Sequence, residues 1–596
     1  MRIIVPHIGF SQGSRKSAVI ADLPEGSTPT VSLLRPAEAE PILMGATPAI
    51  RVDSWFGNCF SVVDLSGQDG VGEYKLTACL EDGATATADF LIDQESLLKR
   101  GASDVLSAFK ILRSSGEIDR KDRSAGLFGH PEKRSVDARG GWLDASGDFS
   151  KFLSHLTYTP TMSPQQIPLC AWAFLEARSQ LNAHHPRFAA ILDSKLRDEG
   201  LYGADFIHRF QSPEGYFYTG IFDGLTKDLN ERLINAPLPD CVRCDRYQSS
   251  YRGGGGMAIA ALARASIQEE SGDFTRFEYL SAARKGFLHL EENNAKYLFA
   301  LDLVTGELVG STESIVDDYC ALLAASELFA ADPRPEYAEA AAHRMQSLVE
   351  RYHRPGDGSP GWFVAWDDDR PWFSNVETGL PVVALLRFAD VFGGVKAKSD
   401  IGELEALVVE ARSLSITVMA DVLRRTKSAP NPFGYARARM TNTGPLALRG
   451  TAPHDGFFVP HVNETGYWWQ GENANLGSLS HAAARVASLE STPQKLKEDL
   501  REFATNQVEW IVGKNPFDAC MLQGRGRGNP EYMVEYPNIP GGIVNGITAG
   551  LEDEQEIAFL TPELADSADS WRWAEQWIPH SAWYLLALST VPGDVA

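Results

Sequence analysis

The stretch Gly140-Gly141-Trp142-Leu143-Asp144-Ala145-Ser146-Gly147-Asp148-Phe149-Ser150-Lys151-Phe152 sets two carboxylates four residues apart in a segment broken by Gly and Ser. Asp and Gly both disfavour helix continuation, so Asp144 and Asp148 are expected to project from a loop, as a catalytic pair would. The same residues also suit a helix N-cap, with Asp148 or Ser146 capping the helix that follows.

On the N-terminal side, residues 1–93 read as β. Short alternating or β-branched runs, among them "SAVIAD", "FSVVDLSG" and "GEYKLTACL", are separated by Gly, Pro, Asp and Ser clusters, which predicts a small sandwich. After residue 93 the period becomes helical, with apolar residues recurring at three and four as in "DDYCALLAASELFAA". About a dozen helices are expected, near 94–116, 164–181, 189–210, 254–270, 275–293, 316–331, 335–352, 377–392, 401–426, 472–488, 494–513 and 577–589. Twelve helices fit six antiparallel hairpins closed into a ring, so the fold class expected is mainly α: an α/α barrel over 94–596 preceded by a β-sandwich over 1–93.

Long aromatic and Gly-rich connections at 117–162, 211–253, 354–376, 430–471 and 514–570 are expected to gather on one rim as a cleft. Trp362, Trp366, Trp372, Trp468, Trp469 and Tyr251 are candidates to present flat aromatic faces to a ligand, although for any single one of them core packing is the better reading. The run Gly253–Gly256 lacks the spacing of a dinucleotide or phosphate loop and reads as close helix packing or a bend.

Composition narrows the partners. The chain of 596 residues holds 79 acidic against 55 basic residues, a formal charge of −24, which disfavours nucleic acid and anionic membranes. No run of about 18 apolar residues predicts a membrane span, and the N-terminal apolar stretch is too short for a signal-peptide core, so a cytoplasmic location is expected. Seven scattered cysteines fit reduced thiols, and Cys241-x-x-Cys244 has no second pair at zinc-finger spacing.

"GGWLDASGD" resembles the Gly-Gly-Trp-x-Asp-Ala-Gly-Asp signature of glycoside hydrolase family 9, inverting β-glycosidases that include many cellulases. The resemblance implies the same α/α barrel, and the N-terminal segment, with "IGF" and "GEYKL", is similar to the immunoglobulin-like module preceding some members. It implies Asp148 as general base and Asp144 as its assistant in holding the attacking water; Ser146 is an extra residue in the motif. "WIVGKNP" at 510–516 resembles the family's "LGxNP" loop, which implies that Glu575, in "DSWRWAEQWIPHSAWYLLAL", is the general acid, with Ala574 where the family has Asn. Glu575 is expected just outside the last helix, whose dipole favours the carboxylate. Trp571, Trp573 and Trp577 counter this by desolvating it, which favours the acid form.

Glu472 matches a substrate-lining position, where with Asn473 it would meet the non-reducing sugar; it also suits an ordinary first helical turn. Trp142 joins the candidate sugar contacts. The His pair that many members carry after "LGxNP" is absent from "QGRGRGNPEYMVEYPN", with Arg525 or Arg527 as a substitute. An inverting enzyme needs roughly 6.5–9.5 Å between its carboxyls to admit a water, and no cofactor. The spelling of the motif, the absent His pair and the absent leader look most like the exo-acting intracellular branch, which includes exo-β-glucosaminidases and enzymes releasing glucose from cello-oligosaccharides. An endo-β-1,4-glucanase is the alternative enzyme; a non-hydrolytic carbohydrate-binding protein or a sugar isomerase is the alternative outside hydrolysis.

Overall fold

The computed structural model describes residues 1–36, 38–130, 134–155, 161–238, 241–301, 308–310, 312–366, 370–394, 402–441, 452–461, 463, 469–535, 537–551, 553–561, 565 and 567–591. Trp468, a candidate sugar contact, lies outside them.

The N-terminal runs form nine strands: β1 (Arg2–Ile4), β2 (Phe10–Ser11), β3 (Ser17–Ala21), β4 (Thr30–Leu34), β5 (Ile42–Met44), β6 (Ile50–Val52), β7 (Asn58–Asp64), β8 (Gly72–Cys79) and β9 (Thr85–Asp93). They make two sheets, ordered β1-β3-β7-β6 and β2-β9-β8-β4-β5. Period-two alternation decides what lies between them. Tyr74, Leu76 and Ala78 of β8 point inward with Val31 and Leu33 of β4 and Phe90 and Ile92 of β9. The other face of the first sheet is also apolar: Val19, Ala21 and Phe60 belong to the core of the helical part. Trp55 seals this junction, its ring 4.9 Å from Phe457 and 6.0 Å from Trp510.

Fourteen α-helices follow among the described residues: α1 (Ser96–Leu112), α2 (Gly116–Asp122), α3 (Ile167–His184), α4 (Pro186–Arg209), α5 (Gly256–Ser266), α6 (Arg276–Asn293), α7 (Ile315–Ala331), α8 (Pro335–Glu350), α9 (Leu380–Phe392), α10 (Gly402–Thr426), α11 (Asn473–Ala487), α12 (Gln494–Ile511), α13 (Trp571–Ala574) and α14 (Ile578–Thr590). The two short ones, α2 and α13, fall at or beside segments expected as loops; one or two turns are too short to show a period. The other twelve form the barrel. Helices α3, α5, α7, α9, α11 and α14 make an inner ring, each against the next, with α14 closing on α3. Helices α4, α6, α8, α10 and α12 pack outside as hairpin partners, and α1 packs on α14, so the sixth pair joins the first helix to the last.

The sequence separates the two rings. Every residue of α5 and α14 is buried, as an inner helix with neighbours on both sides requires. Helix α12 instead opens on the polar run "QKLKED" and buries Leu500, Phe503, Val508 and Trp510 along one stripe. An ionic chain ties inner helices together: Arg264 of α5 donates to Glu327 of α7 at 2.7 Å and pairs with Glu176 of α3, while Arg387 of α9 reaches Glu327 at 2.8 Å and Arg485 of α11 reaches Glu176 at 3.2 Å. Against burial, Arg264, Arg485 and Arg387 hold the Glu176 carboxyl down at about 2.

The Gly-rich run resolves as close packing. Gly254, at φ 99°, is in a π-helical turn, and a Cβ there would sit 2.4 Å from Leu153 Cβ. Among the described residues no helix is long and apolar enough to cross a membrane.

Candidate active site

The aspartate turn is a loop. Its chain reverses at Gly147, φ 82°, and Asp148 Oδ1 accepts the Ser150 N–H at 2.8 Å, a local turn that caps no helix. A short strand, Lys151–Phe152, comes next, and α3 begins only at Ile167. Beneath the turn, Arg232 makes a bidentate pair with buried Asp122 at 2.6 and 2.9 Å and donates to the Phe149 carbonyl at 2.5 Å. The Lys151 ammonium also reaches Asp122, at 2.7 Å, and burial pulls it down to about 8.

More than four hundred residues later the chain returns to this turn. Ala145 forms an antiparallel bridge with Trp577. The Ser146 N–H donates to the Gln576 carbonyl and Ser146 Oγ accepts the Gln576 N–H, both at 2.8 Å. Asp144 is held twice: its carbonyl accepts the Ile578 N–H at 3.2 Å, and its Oδ1 accepts the Trp577 indole N–H at 3.0 Å together with the Gln166 amide. Burial, and then the charges of Asp148 and Glu575, push the Asp144 carboxyl well above the usual range, against those two hydrogen bonds.

Glu575 lies between α13 and α14, backed by Trp573 and Trp577, which are 0% and 4% exposed. Its own segment is paired: Val544 bridges Gln576, and the Asn545 N–H donates to the Glu575 carbonyl at 2.8 Å. Burial and then the charge of Asp148 push Glu575 up to about 8, opposed by an Asn545 hydrogen bond and the Lys227 charge. The site therefore holds a carboxyl that is neutral at pH 7 within electrostatic reach of Asp148, the arrangement general acid and base work requires.

Tyr532 is a residue the sequence reading missed. Its phenol is raised by burial and then by the charges of Glu575 and Asp148, which places it near both. It lies in the stretch where an arginine was expected to replace the absent His pair. The arginines themselves are engaged elsewhere: Arg525 makes a bidentate pair with Asp104 of α1 at 2.6 and 3.1 Å, and Arg527 one with Asp518 at 2.9 and 2.7 Å.

Several expected sugar contacts are corrected for the same kind of reason. Trp142 is fully buried against Phe109 and Phe174, with its indole N–H on Glu199 at 2.9 Å. Tyr251 is fully buried and donates to Glu291 at 2.6 Å. Trp469 has its ring stacked on His461 at 3.8 Å and capped by the Arg572 guanidinium at 4.0 Å, so both faces are covered. Asn473, buried, donates to the Val544 carbonyl at 2.8 Å and so braces the segment before Asn545.

Glu472 accepts from the Val459 N–H at 2.6 Å and the Tyr435 hydroxyl at 3.2 Å, and burial pushes it up to about 7. It lines a small cavity with Trp362, Arg425 and Asn475, both its oxygens already bonded within the protein. Trp372 is buried with its N–H on the Thr161 carbonyl at 3.0 Å. Trp366 remains half-buried, with the Arg370 guanidinium 4.4 Å over its ring. Among the described residues no group of three His, Cys, Asp or Glu side chains is placed to hold a metal ion.

The family model of glycosyl hydrolase family 9 matches residues 99–536, a span that includes Asp144 and Asp148 and ends before Glu575. Similar solved structures run the whole length. The Bacteroides ovatus family 9 glycoside hydrolase aligns with a TM-score of 0.65 at 16% identity over 99% of both chains. A metagenome-derived family 9 endoglucanase gives 0.63 at 16% over 98% of both. A single mutant of the thermostable endoglucanase from Alicyclobacillus acidocaldarius gives 0.61 at 16% over 99% of both. No curated protein sequence matches this chain. The family match over more than two thirds of the chain, on an α/α barrel preceded by a β-sandwich, places it: this chain belongs to glycosyl hydrolase family 9 and is an O-glycosyl hydrolase.

Proposed function

We propose that this chain is an inverting, exo-acting β-glycosidase that removes sugars from the non-reducing end of β-1,4-linked gluco-configured oligosaccharides. Asp148 is the general base, Asp144 helps to hold the attacking water, and Glu575 is the general acid. As water attacks the anomeric carbon, Asp148 takes its proton while Glu575 protonates the departing oxygen, and no covalent sugar intermediate forms. The observation that carries this reading is the pairing of the aspartate turn with residues 576–578, which brings the adjoining Glu575 within electrostatic reach of Asp148. In this reading residues 94–596 are the catalytic unit and the immunoglobulin-like residues 1–93 brace it from the α12 side, where Arg15 pairs with Glu502 at 2.6 Å.

Exo action is favoured by the packing of the aromatic residues. Among the described residues, Trp142, Tyr251, Trp372 and Trp469 are buried in the protein and offer no stacking face to a long polymer. The second reading is an endo-β-1,4-glucanase, favoured by the endoglucanases among the solved structures of the same length. Incubation with cello-oligosaccharides and, side by side, glucosamine oligosaccharides, followed by chromatography, decides. Monosaccharide as the first product supports the exo reading and identifies the sugar; a ladder of intermediate lengths supports the endo reading.

A further inference from the structure

We propose that Asn545, its amide locked by His580, is a positioning residue that decides which oxygen of Glu575 carries the catalytic proton; the inference rests on Glu575 being the general acid. The chain of hydrogen bonds has one direction. The Ala474 N–H donates to His580 Nδ1 at 2.7 Å, so that nitrogen carries no proton. In a neutral imidazole the proton is then on Nε2, which donates to Asn545 Oδ1 at 2.9 Å. With its oxygen thus fixed, the Asn545 amide nitrogen faces the other way. It donates one N–H to the Trp571 carbonyl at 2.7 Å and turns the other toward Glu575 Oε2 and Gln470 Oε1, each 3.5 Å away. Burial pulls His580 down to about 3, so it stays neutral and the direction holds across the working pH range.

An amide N–H is a donor only. Facing Oε2, it keeps that oxygen an acceptor, and the proton of neutral Glu575 is left on Oε1, the oxygen free to turn to the glycosidic bond. After the proton has gone, the same N–H stabilises the new carboxylate. The contact is long, as catalytic hydrogen bonds often are until substrate tightens them. The backbone supports it independently, because the Asn545 N–H already holds the Glu575 carbonyl at 2.8 Å.

The variants Asn545→Asp, which keeps the side-chain shape but removes the donor, and Asn545→Ala test this, with Glu575→Gln beside them. The substrates are the oligosaccharide the wild type cleaves and the 2,4-dinitrophenyl β-glycoside of the same sugar, whose leaving group needs no proton. The expected result for both Asn545 variants is a fall in kcat of about 10- to 100-fold on the oligosaccharide, at or below the lower end of what general acid catalysis supplies because the acid itself is retained, with KM little changed. On the dinitrophenyl glycoside the loss is small. The basic limb of the pH profile moves up, since losing a donor to the carboxylate disfavours its charged form. His580→Gln, which retains a donor and an acceptor, shows the same pattern more weakly and serves where an Asn545 variant fails to fold. Equal losses on both substrates with an unmoved basic limb overturn the proposal while leaving Glu575 as the acid. A Glu575→Gln variant with full activity on the oligosaccharide overturns both.

Discussion

Ser146 and Gln576 are joined by two hydrogen bonds of 2.8 Å, backbone N–H to carbonyl in one direction and backbone N–H to Ser Oγ in the other. Ser146 is the residue by which this chain departs from the family motif. The extra residue is thus the clamp between the turn bearing Asp144 and Asp148 and the segment bearing Glu575, and it fixes the carboxyls relative to each other.

Ser146→Ala removes one half of the clamp and leaves the buried Gln576 N–H without its partner, a cost of about 1–3 kcal/mol. The expected outcome is a modest loss of thermal stability and a loss of kcat of about tenfold or more, since misplacing reacting groups by even about 1 Å is costly. Thermal melting and steady-state kinetics on the same preparation check both.

The pH dependence follows from Glu575. Its acid form is the active one, so kcat/KM should fall as pH rises through about 8. Stability moves in the same direction. Below its ordinary value of 4.5 the carboxyl is neutral folded or unfolded; between 4.5 and about 8 only the unfolded chain has lost the proton, so stability falls with pH over that range and the loss is complete above about 8. Glu575→Gln should therefore abolish most hydrolysis while melting higher than the wild type at pH 8–9. A variant with lower melting temperature there would show that the carboxylate is stabilised by its surroundings.

Arg264 carries the ionic chain between α3 and α7, both partners being buried. Arg264→Met leaves Glu176 with Arg485 and Glu327 with Arg387 as remaining partners, so it is expected to cost less than the roughly 3–5 kcal/mol of stranding a buried charge outright. Denaturant unfolding measures it.

The barrel was legible in the sequence because the helical period recurs through the chain after residue 93 and a count of twelve helices closes a ring. The pairing of the last helix with the first was not, since no local pattern reports a contact across the whole chain. Asp144, Asp148 and Glu575 were singled out from a short motif and from chain order, and the fold brings their segments together. The aromatic contacts failed because Trp142, Tyr251 and Trp469 have the composition of sugar platforms, and only three-dimensional packing shows their faces covered. Gln166, Tyr532, Asn545 and His580 carry no motif: their place is set by a reverse turn, by a bridge at Val544 and by a histidine two residues into α14.

Among the described residues, Trp362 and Trp366 are the aromatic candidates that stay half-buried rather than buried, and Trp362 is already stacked on His353. Trp366→Ala should raise KM for the cleaved oligosaccharide by about 5- to 15-fold with kcat nearly unchanged, the size of one aromatic contact of about 1–1.5 kcal/mol. Initial-rate kinetics on substrates of increasing length check it, and the effect should vanish for substrates too short to reach the rim.

The stereochemistry of the first product tests the central claim most directly. Proton NMR of the anomeric signals during early hydrolysis should show the α-anomer appearing first and the β-anomer only later by mutarotation, because a water activated by Asp148 displaces the leaving sugar in one step. Initial release of the β-anomer would require a covalent intermediate and would contradict the roles assigned to Asp148 and Glu575.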